Sequence, residues 1–202
     1  MYNFSSNSLS LGYSNIKDDN YDLLYHDLFI VERHNQIKFK KLAHTRKLNL
    51  PIFNDLLLNG NAILNSSVLV RKPILQDIGF LSCDKNKVTW EDYDCWLRIS
   101  KISNRFLYIN KPLGFYWTGG GNMTNPDRDL NNACSIINFY IKGTYNKIPS
   151  WILFSEGKAL VKKGKKLEGI SKFKTITLTK YSIKDFIKAN FIILLISIRE
   201  NI

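Results

Sequence analysis

Thr89-Trp-Glu-Asp-Tyr-Asp-Cys-Trp-Leu-Arg98 sets three carboxylates, Glu91, Asp92 and Asp94, at the head of an amphipathic helix, between Trp90 and Trp96. Acids packed among aromatics are costly unless they are solvated, capped or used. Thr89 and Asp92 stand three apart before an apolar periodic run, the spacing of a capping box with aspartate in place of the usual Glu or Gln. Acids in a first turn also face the positive end of the helix dipole, by about 0.3–1 kcal/mol each when exposed. Tyr93, Trp96 and Leu97 fall at i, i+3 and i+4, Ser100 completes the turn, and Ile99 and Ile102 widen the apolar face. Capping accounts for one carboxylate well and a second adequately. It leaves a tryptophan directly before them unexplained.

Outward from that helix, the chain alternates strands with short helices. Tyr21–Val31 reads as a buried strand with a polar interruption, and a basic, loop-like stretch follows from Glu32 to Leu48. Pro51–Leu58 is a short helix, with proline at its start and Gly60 past its end. Asn61–Val70 is β-like, with Asn65, Ser66 and Ser67 in its middle, and another short helix runs from Pro73 to a stop before Gly79. After the Thr89 helix come strands at Arg105–Ile109 and Leu113–Trp117, then Gly119, Gly120 and Gly121. This alternation indicates an α/β domain over residues 1–125.

Residues 126–202 read instead as a helical extension. Asn125-Pro126 starts a helix that runs to about Lys142. Pro149–Lys163, Lys166 to about Lys180, and Ser182 to about Ile198 follow, with Gly164 between the first two of these and Ser182-x-x-Asp185 opening the last. The last helix is basic early and very apolar late. Core packing accounts for it, and shallow contact with an anionic membrane surface is the alternative.

Composition bounds the function. The chain has 202 residues, 45% hydrophobic and 13% aromatic, enough for one proper folded core. A net charge of +12 and a pI near 9.6 suit an anionic partner, although a Lys-, Asn- and Ile-rich composition also produces that charge without one. The basic residues form no Arg-rich run or aromatic-basic stripe, so nucleic acid is the least favoured partner. Cys83, Cys95 and Cys134 are odd in number and widely spaced, as in a cytoplasmic protein with reduced thiols and no zinc site. His26, His34 and His44 lack ligand spacing and read as surface or strand-edge residues. Met1–Gly12 lacks the pattern of a signal peptide, and Phe191–Ile198 is too short to span a bilayer.

One ordered set of segments carries a family resemblance. It comprises Asn61-Ala-Ile-Leu-Asn-Ser-Ser-Val-Leu-Val-Arg-Lys72, Gly79-Phe80, Trp90-Glu-Asp-Tyr-Asp-Cys-Trp-Leu-Arg98, Lys111-Pro-Leu-Gly-Phe-Tyr-Trp117 and Gly119-Gly-Gly-Asn-Met-Thr-Asn125. In this order, over roughly Tyr21 to Asn125, it resembles the second half of a family-2 glycosyltransferase of the GT-A fold, of the bacterial type that builds lipopolysaccharide and capsular glycans. The resemblance implies that Asp92 is the base that deprotonates an acceptor hydroxyl, with Glu91 orienting the acceptor or tuning the pair. Inverting transfer needs such a carboxylate, and nearby negative charge stabilises the cationic sugar of the transition state. A helix N-terminus is expected to keep Asp92 ionised. Trp90 would offer a flat face to an acceptor ring. Asn65, Ser66 and Ser67 would read sugar hydroxyls, although strand-end hydrogen bonding explains them equally well. Gly120, Gly121 and Asn122 would approach the donor diphosphate, against the simpler reading of a plain turn.

The chain departs from that pattern at its start. The family's N-terminal half, with its nucleotide-binding strands and the Asp-x-Asp motif that holds Mg²⁺ or Mn²⁺, is expected to be missing, since Asp18-Asp19 sits in a polar loop before the first strand. The partial sheet would then leave Tyr21–Val31 as an exposed edge. The functional expectation is an inverting transferase acting between a nucleotide-sugar donor and a glycan acceptor, cytoplasmic or peripheral at the inner face of the membrane. It would be a truncated or split form, inactive unless a donor-binding half completes it. The alternative is a non-catalytic remnant that binds glycan or protein.

Overall fold

The computed structural model describes residues 20–43, 45–84, 90–120, 125–179 and 182–200. The chain divides into two compact units. One is formed by Met1–Leu56, Asn61–Ser82 and Glu91–Asn122, the other by Leu57–Gly60, Cys83–Trp90 and Met123–Ile202.

The first unit is built on strand β1, Leu23–Val31. Its residues are buried almost throughout, as in a strand covered on both faces. One edge pairs in parallel with β4, Phe106–Trp117, over the whole length of β1. The other edge is shared by two short antiparallel strands: β3, Val68–Val70, at Leu23–Tyr25, and β2, Leu42–Ala43, at Leu28–Phe29. β1 is therefore the interior strand of a mixed four-stranded sheet, not the exposed edge expected of a partial domain.

The two strands expected at Arg105–Ile109 and Leu113–Trp117 are one strand with a bulge. His26 lies opposite Ile109, Asp27 opposite Pro112 and Leu28 opposite Gly114, so β4 carries extra residues at this point. Pro112 has no N–H to give to a ladder, and the irregularity falls where a proline is tolerated. Asp27, at this irregularity, is buried on β1. Its Oδ1 accepts from the Thr45 N–H at 2.8 Å, from Thr45 Oγ1 at 3.0 Å and from the Tyr108 hydroxyl at 3.0 Å.

Helices α1 (Ile52–Asn59), α2 (Lys72–Asp77) and α3 (Glu91–Ile102) begin in this unit, and the last three residues of α1 belong to the other. The Ile52 N–H at the start of α1 donates to Asn104 Oδ1 at 3.0 Å, and the Tyr93 hydroxyl of α3 donates to the Leu56 carbonyl at 2.7 Å. The strand expected over Asn61–Val70 is realised only at its end. Its polar middle, Asn65–Ser67, folds into a 3₁₀ turn in which the Ser67 N–H and Oγ both bond to the Leu64 carbonyl, at 2.8 and 2.6 Å. Short hydroxyl side chains compete with the sheet ladder in this way.

In the second unit, α4 (Pro126–Ile136) begins with Asn125 Oδ1 accepting from the Arg128 N–H at 2.9 Å, and it ends in a π-helical turn, Ile137–Ile141. α5 (Ser150–Lys162) and α6 (Lys166–Lys174) form a hairpin about Gly164, whose φ of 81° needs no Cβ. α6 stops six residues before the expected Lys180, where Thr175 Oγ1 donates to the Lys172 carbonyl. α7 (Ile183–Glu200) is the longest helix. The reciprocal cap expected at its start is replaced by other bonds: Ser182 Oγ accepts from the Thr179 N–H, and Asp185 accepts from Ser150 Oγ at 2.7 Å. No described helix is long and apolar enough to cross a membrane.

The α5–α6 crossing depends on two glycines. A Cβ on Gly157 would lie 2.5 Å from a Phe173 ring carbon and 3.1 Å from the Gly169 carbonyl oxygen, and one on Gly169 would lie 2.8 Å from the Gly157 carbonyl. Gly157→Val is therefore expected to cost about 1–3 kcal/mol through overpacking, read as a lower urea midpoint for the helical signal.

Candidate functional site

The acidic head of α3 lies in the first unit. Most of the helix is buried: Tyr93, Asp94, Cys95, Trp96, Leu97, Ile99 and Ser100 are all inside, while Ile102, expected on the apolar face, is exposed. The carboxylates at its start have different fates. Asp94 is fully buried and accepts from Arg98 Nε at 2.8 Å, one turn along the helix. The same guanidinium donates to the Ile78 carbonyl and, at 2.7 Å, to the Phe80 carbonyl. Arg98 thus ties α3 to the turn that follows α2. Asp94 is structural.

Asp92 and Glu91 are half-buried and differently placed. Asp92 Oδ1 accepts from the Tyr93 N–H at 2.7 Å, one of the donors that a helix start leaves free. Thr89, the other half of the expected capping box, lies outside the described residues. Glu91 Oε2 is buried with no hydrogen-bond partner among the described residues. Burial pushes the Asp92 carboxyl above its ordinary value; the Tyr93 N–H opposes that rise and the neighbouring Glu91 charge adds to it. Desolvation thus outweighs the helix end in setting the direction of this shift.

The buried carboxylates Asp22, Asp27, Asp55 and Glu156 each have hydrogen-bond partners. Asp22 is held by Arg105 through two bonds of 2.9 and 2.6 Å and by Ser103 at 2.6 Å; burial raises its pKa, and these partners more than reverse the rise. Asp55 has Arg46 and Asn49, and Glu156 has Lys172 at 2.9 Å. Asp27 has the three neutral donors given above. Glu91 and Asp92 are half-buried and show no cationic partner among the described residues, and Glu91 Oε2 has no hydrogen-bond partner there at all. A desolvated carboxylate without a compensating cation costs stability.

The remaining expected site residues are not assembled around this pair. Trp90 is buried at 4% exposure, packed in the second unit against Phe139 and Tyr140 with both ring centroids 6.3 Å away. It is a core side chain, not an open platform for a sugar. Ser67 is buried and its hydroxyl is engaged by the Leu64 carbonyl, whereas Asn65 and Ser66 are exposed. No hydrogen bond joins these three residues to Asp92. Gly120 offers its carbonyl to Trp117 Nε1 at 3.0 Å. A Cβ on Gly119 would lie 2.5 Å from the Glu32 carbonyl oxygen, so close backbone packing already requires that glycine. Gly121 and Asn122 lie outside the described residues.

The divalent ion of the family does not fit here. Two Asp-x-Asp triplets occur, Asp92-Tyr-Asp94 and Asp127-Arg-Asp129, and both are helical. Residues two apart on a helix point to opposite sides, so neither pair can grip one ion. Asp94 is moreover paired with Arg98, and Asp127 with Lys163. No group of three or more potential metal ligands exists among the described residues, and Asp18-Asp19 lies outside them.

Two features escaped the sequence. His26, read as a surface or strand-edge residue, is buried on β1 with Nδ1 2.7 Å from the Asp27 carbonyl, and burial lowers its pKa. His34 is exposed and stacks on Trp117 at 4.5 Å, and His44 lies outside the described residues. Trp96 Nε1 is buried with no partner among the described residues. Nothing in the sequence flagged it, because an unpaired indole is visible only once its neighbours are placed. Cys95 is fully buried and its thiol is pushed up to about 11, while Cys83 and Cys134 are exposed and unpaired. Comparison of the chain with family models, curated proteins and solved structures gave no match.

Proposed function

We propose that this chain forms the acceptor side of an inverting glycosyltransferase of the GT-A, family-2 kind, with Asp92 as the base. The observation that carries the proposal is the half-buried Glu91–Asp92 pair, with Glu91 Oε2 unpartnered among the described residues and the Asp92 carboxyl pushed up by desolvation. In the proposed step Asp92 takes the proton of an acceptor sugar hydroxyl. The hydroxyl oxygen bonds to the anomeric carbon of the donor, and the donor's bond to its nucleotide diphosphate breaks. A raised pKa improves a carboxylate as a base provided it stays ionised at working pH. Glu91, beside Asp92, orients the acceptor or tunes the pair. The nucleotide-sugar donor needs groups other than those described, and no step here is derived through a metal.

Binding of the acceptor tests this part directly. Titration of the labelled chain with a panel of bacterial-type oligosaccharides is expected to shift the backbone amides of Glu91, Asp92 and Tyr93 saturably, with no nucleotide present. Shifts confined to other residues, or none from any glycan in the panel, would sink the acceptor-side reading. Salt-sensitive shifts on adding an oligonucleotide instead would assign the +12 charge to nucleic acid.

A further inference from the structure

α7 carries two apolar faces, and only one is used within its unit. Phe186, Ala189, Ile192, Ile193 and Ile196 turn inward, where Ala189 joins the buried cluster of Phe173 and Ile176. The opposite side presents Ile183, Ile187, Phe191, Leu194, Leu195 and Ile198, each between 40 and 63% exposed. Their spacing of four, four, three or four, and again three or four draws one stripe along the helix. At 1.5 Å per residue it is roughly 22 Å long. Isolated exposed leucines are ordinary, but a continuous stripe of this length is not.

Charge indicates what covers the stripe. Residues 123–202 hold twelve lysines and two arginines against six acids, a net +8 of the chain's +12. Lys184 and Lys188 are exposed along one border of the stripe, and Asn190 and Ser197 lie along the other. Two copies of so basic a unit repel each other, which disfavours self-pairing through this face. An anionic bilayer satisfies both features at once, taking the apolar stripe to the depth of the headgroups and the lysines against phosphate.

We propose that α7 lies flat on an anionic membrane surface through the Ile183–Ile198 stripe, as a peripheral attachment that does not rest on the glycosyl-transfer reading. Flotation of the full chain with phosphatidylcholine vesicles containing phosphatidylglycerol is expected to recover at least about tenfold more protein than flotation with phosphatidylcholine alone, two lysines at the surface sufficing for that ratio. Phe191→Asp with Leu194→Asp, both at exposed positions, should abolish flotation while leaving the helical circular dichroism unchanged. Lys184→Glu with Lys188→Glu should remove the preference for anionic vesicles. Three results would overturn the proposal: no flotation of the native chain, flotation equal with and without phosphatidylglycerol, or flotation undiminished in the Phe191→Asp, Leu194→Asp chain. A concentration-dependent dimer dispersed by those same aspartates would also overturn it, by assigning the stripe to a second copy.

Discussion

Asp92→Asn is expected to abolish glycosyl transfer and, in the same molecule, to make the fold more stable at neutral pH. Loss of a general base costs roughly 10²–10⁴ in rate. The stability gain follows from the raised Asp92 pKa. A carboxyl whose folded pKa lies above its unfolded value, about 3.9, binds its proton more tightly in the fold. Its contribution is complete below the unfolded pKa and is lost as pH rises through the folded one. Asparagine keeps the oxygen that accepts from the Tyr93 N–H and carries no charge to desolvate. The gain should fall in the range of about 0.5–2 kcal/mol usual for relieving such a site, and it should vanish below about pH 4, where both states of the native carboxyl are protonated. Urea unfolding at neutral and acid pH reads it. A capping role predicts the reverse sign, because the neutral side chain gives up its interaction with the helix dipole. The sign of one stability change thus separates the two explanations of the acidic turn, without any need for an active enzyme.

Arg98→Ala is expected to be the most damaging single truncation in the first unit. It leaves the Asp94 carboxylate, fully buried, without its ion-pair partner, and it strips the Ile78 and Phe80 carbonyls of their donor. Breaking a buried pair from one side costs about 3–5 kcal/mol. The double change Arg98→Met with Asp94→Leu should recover part of that loss, since it removes the stranded charge but does not replace the two carbonyl bonds. A double-mutant cycle in urea measures the difference. If Arg98→Ala unfolds within about 0.5 kcal/mol of the native chain, the scale of ordinary surface substitutions, Asp94 is not held by Arg98 in solution. Removing the charge of Asp92 is thus expected to stabilise the fold, and removing the partner of Asp94, two residues on, to destabilise it.

The sequence by itself determined where several helices begin, because those signals are local. Proline at Pro126, the asparagine cap before it, glycine at Gly164 and the i, i+3, i+4 pattern of Tyr93, Trp96 and Leu97 act through the next few residues of backbone. It also singled out the Glu91–Asp92 pair as more acid than a helix start requires. What lay beyond reach depends on partners distant in the chain. The bulge that fuses Arg105–Ile109 with Leu113–Trp117 is set by register against β1, some eighty residues earlier. Asn65–Ser67 leaves the expected strand because its hydroxyls find Leu64, not a ladder. Trp90 is a wall of the core only because Phe139 and Tyr140 meet it, and the late apolar run of α7 does not say which side packing covers and which it leaves exposed. Most decisively, three adjacent carboxylates look alike in sequence. Asp94 has an arginine one turn along its own helix, but only tertiary structure buried that pair and left Asp92 half-buried without a cation among the described residues; burial and charge partners, not residue type, decide what a carboxylate can do.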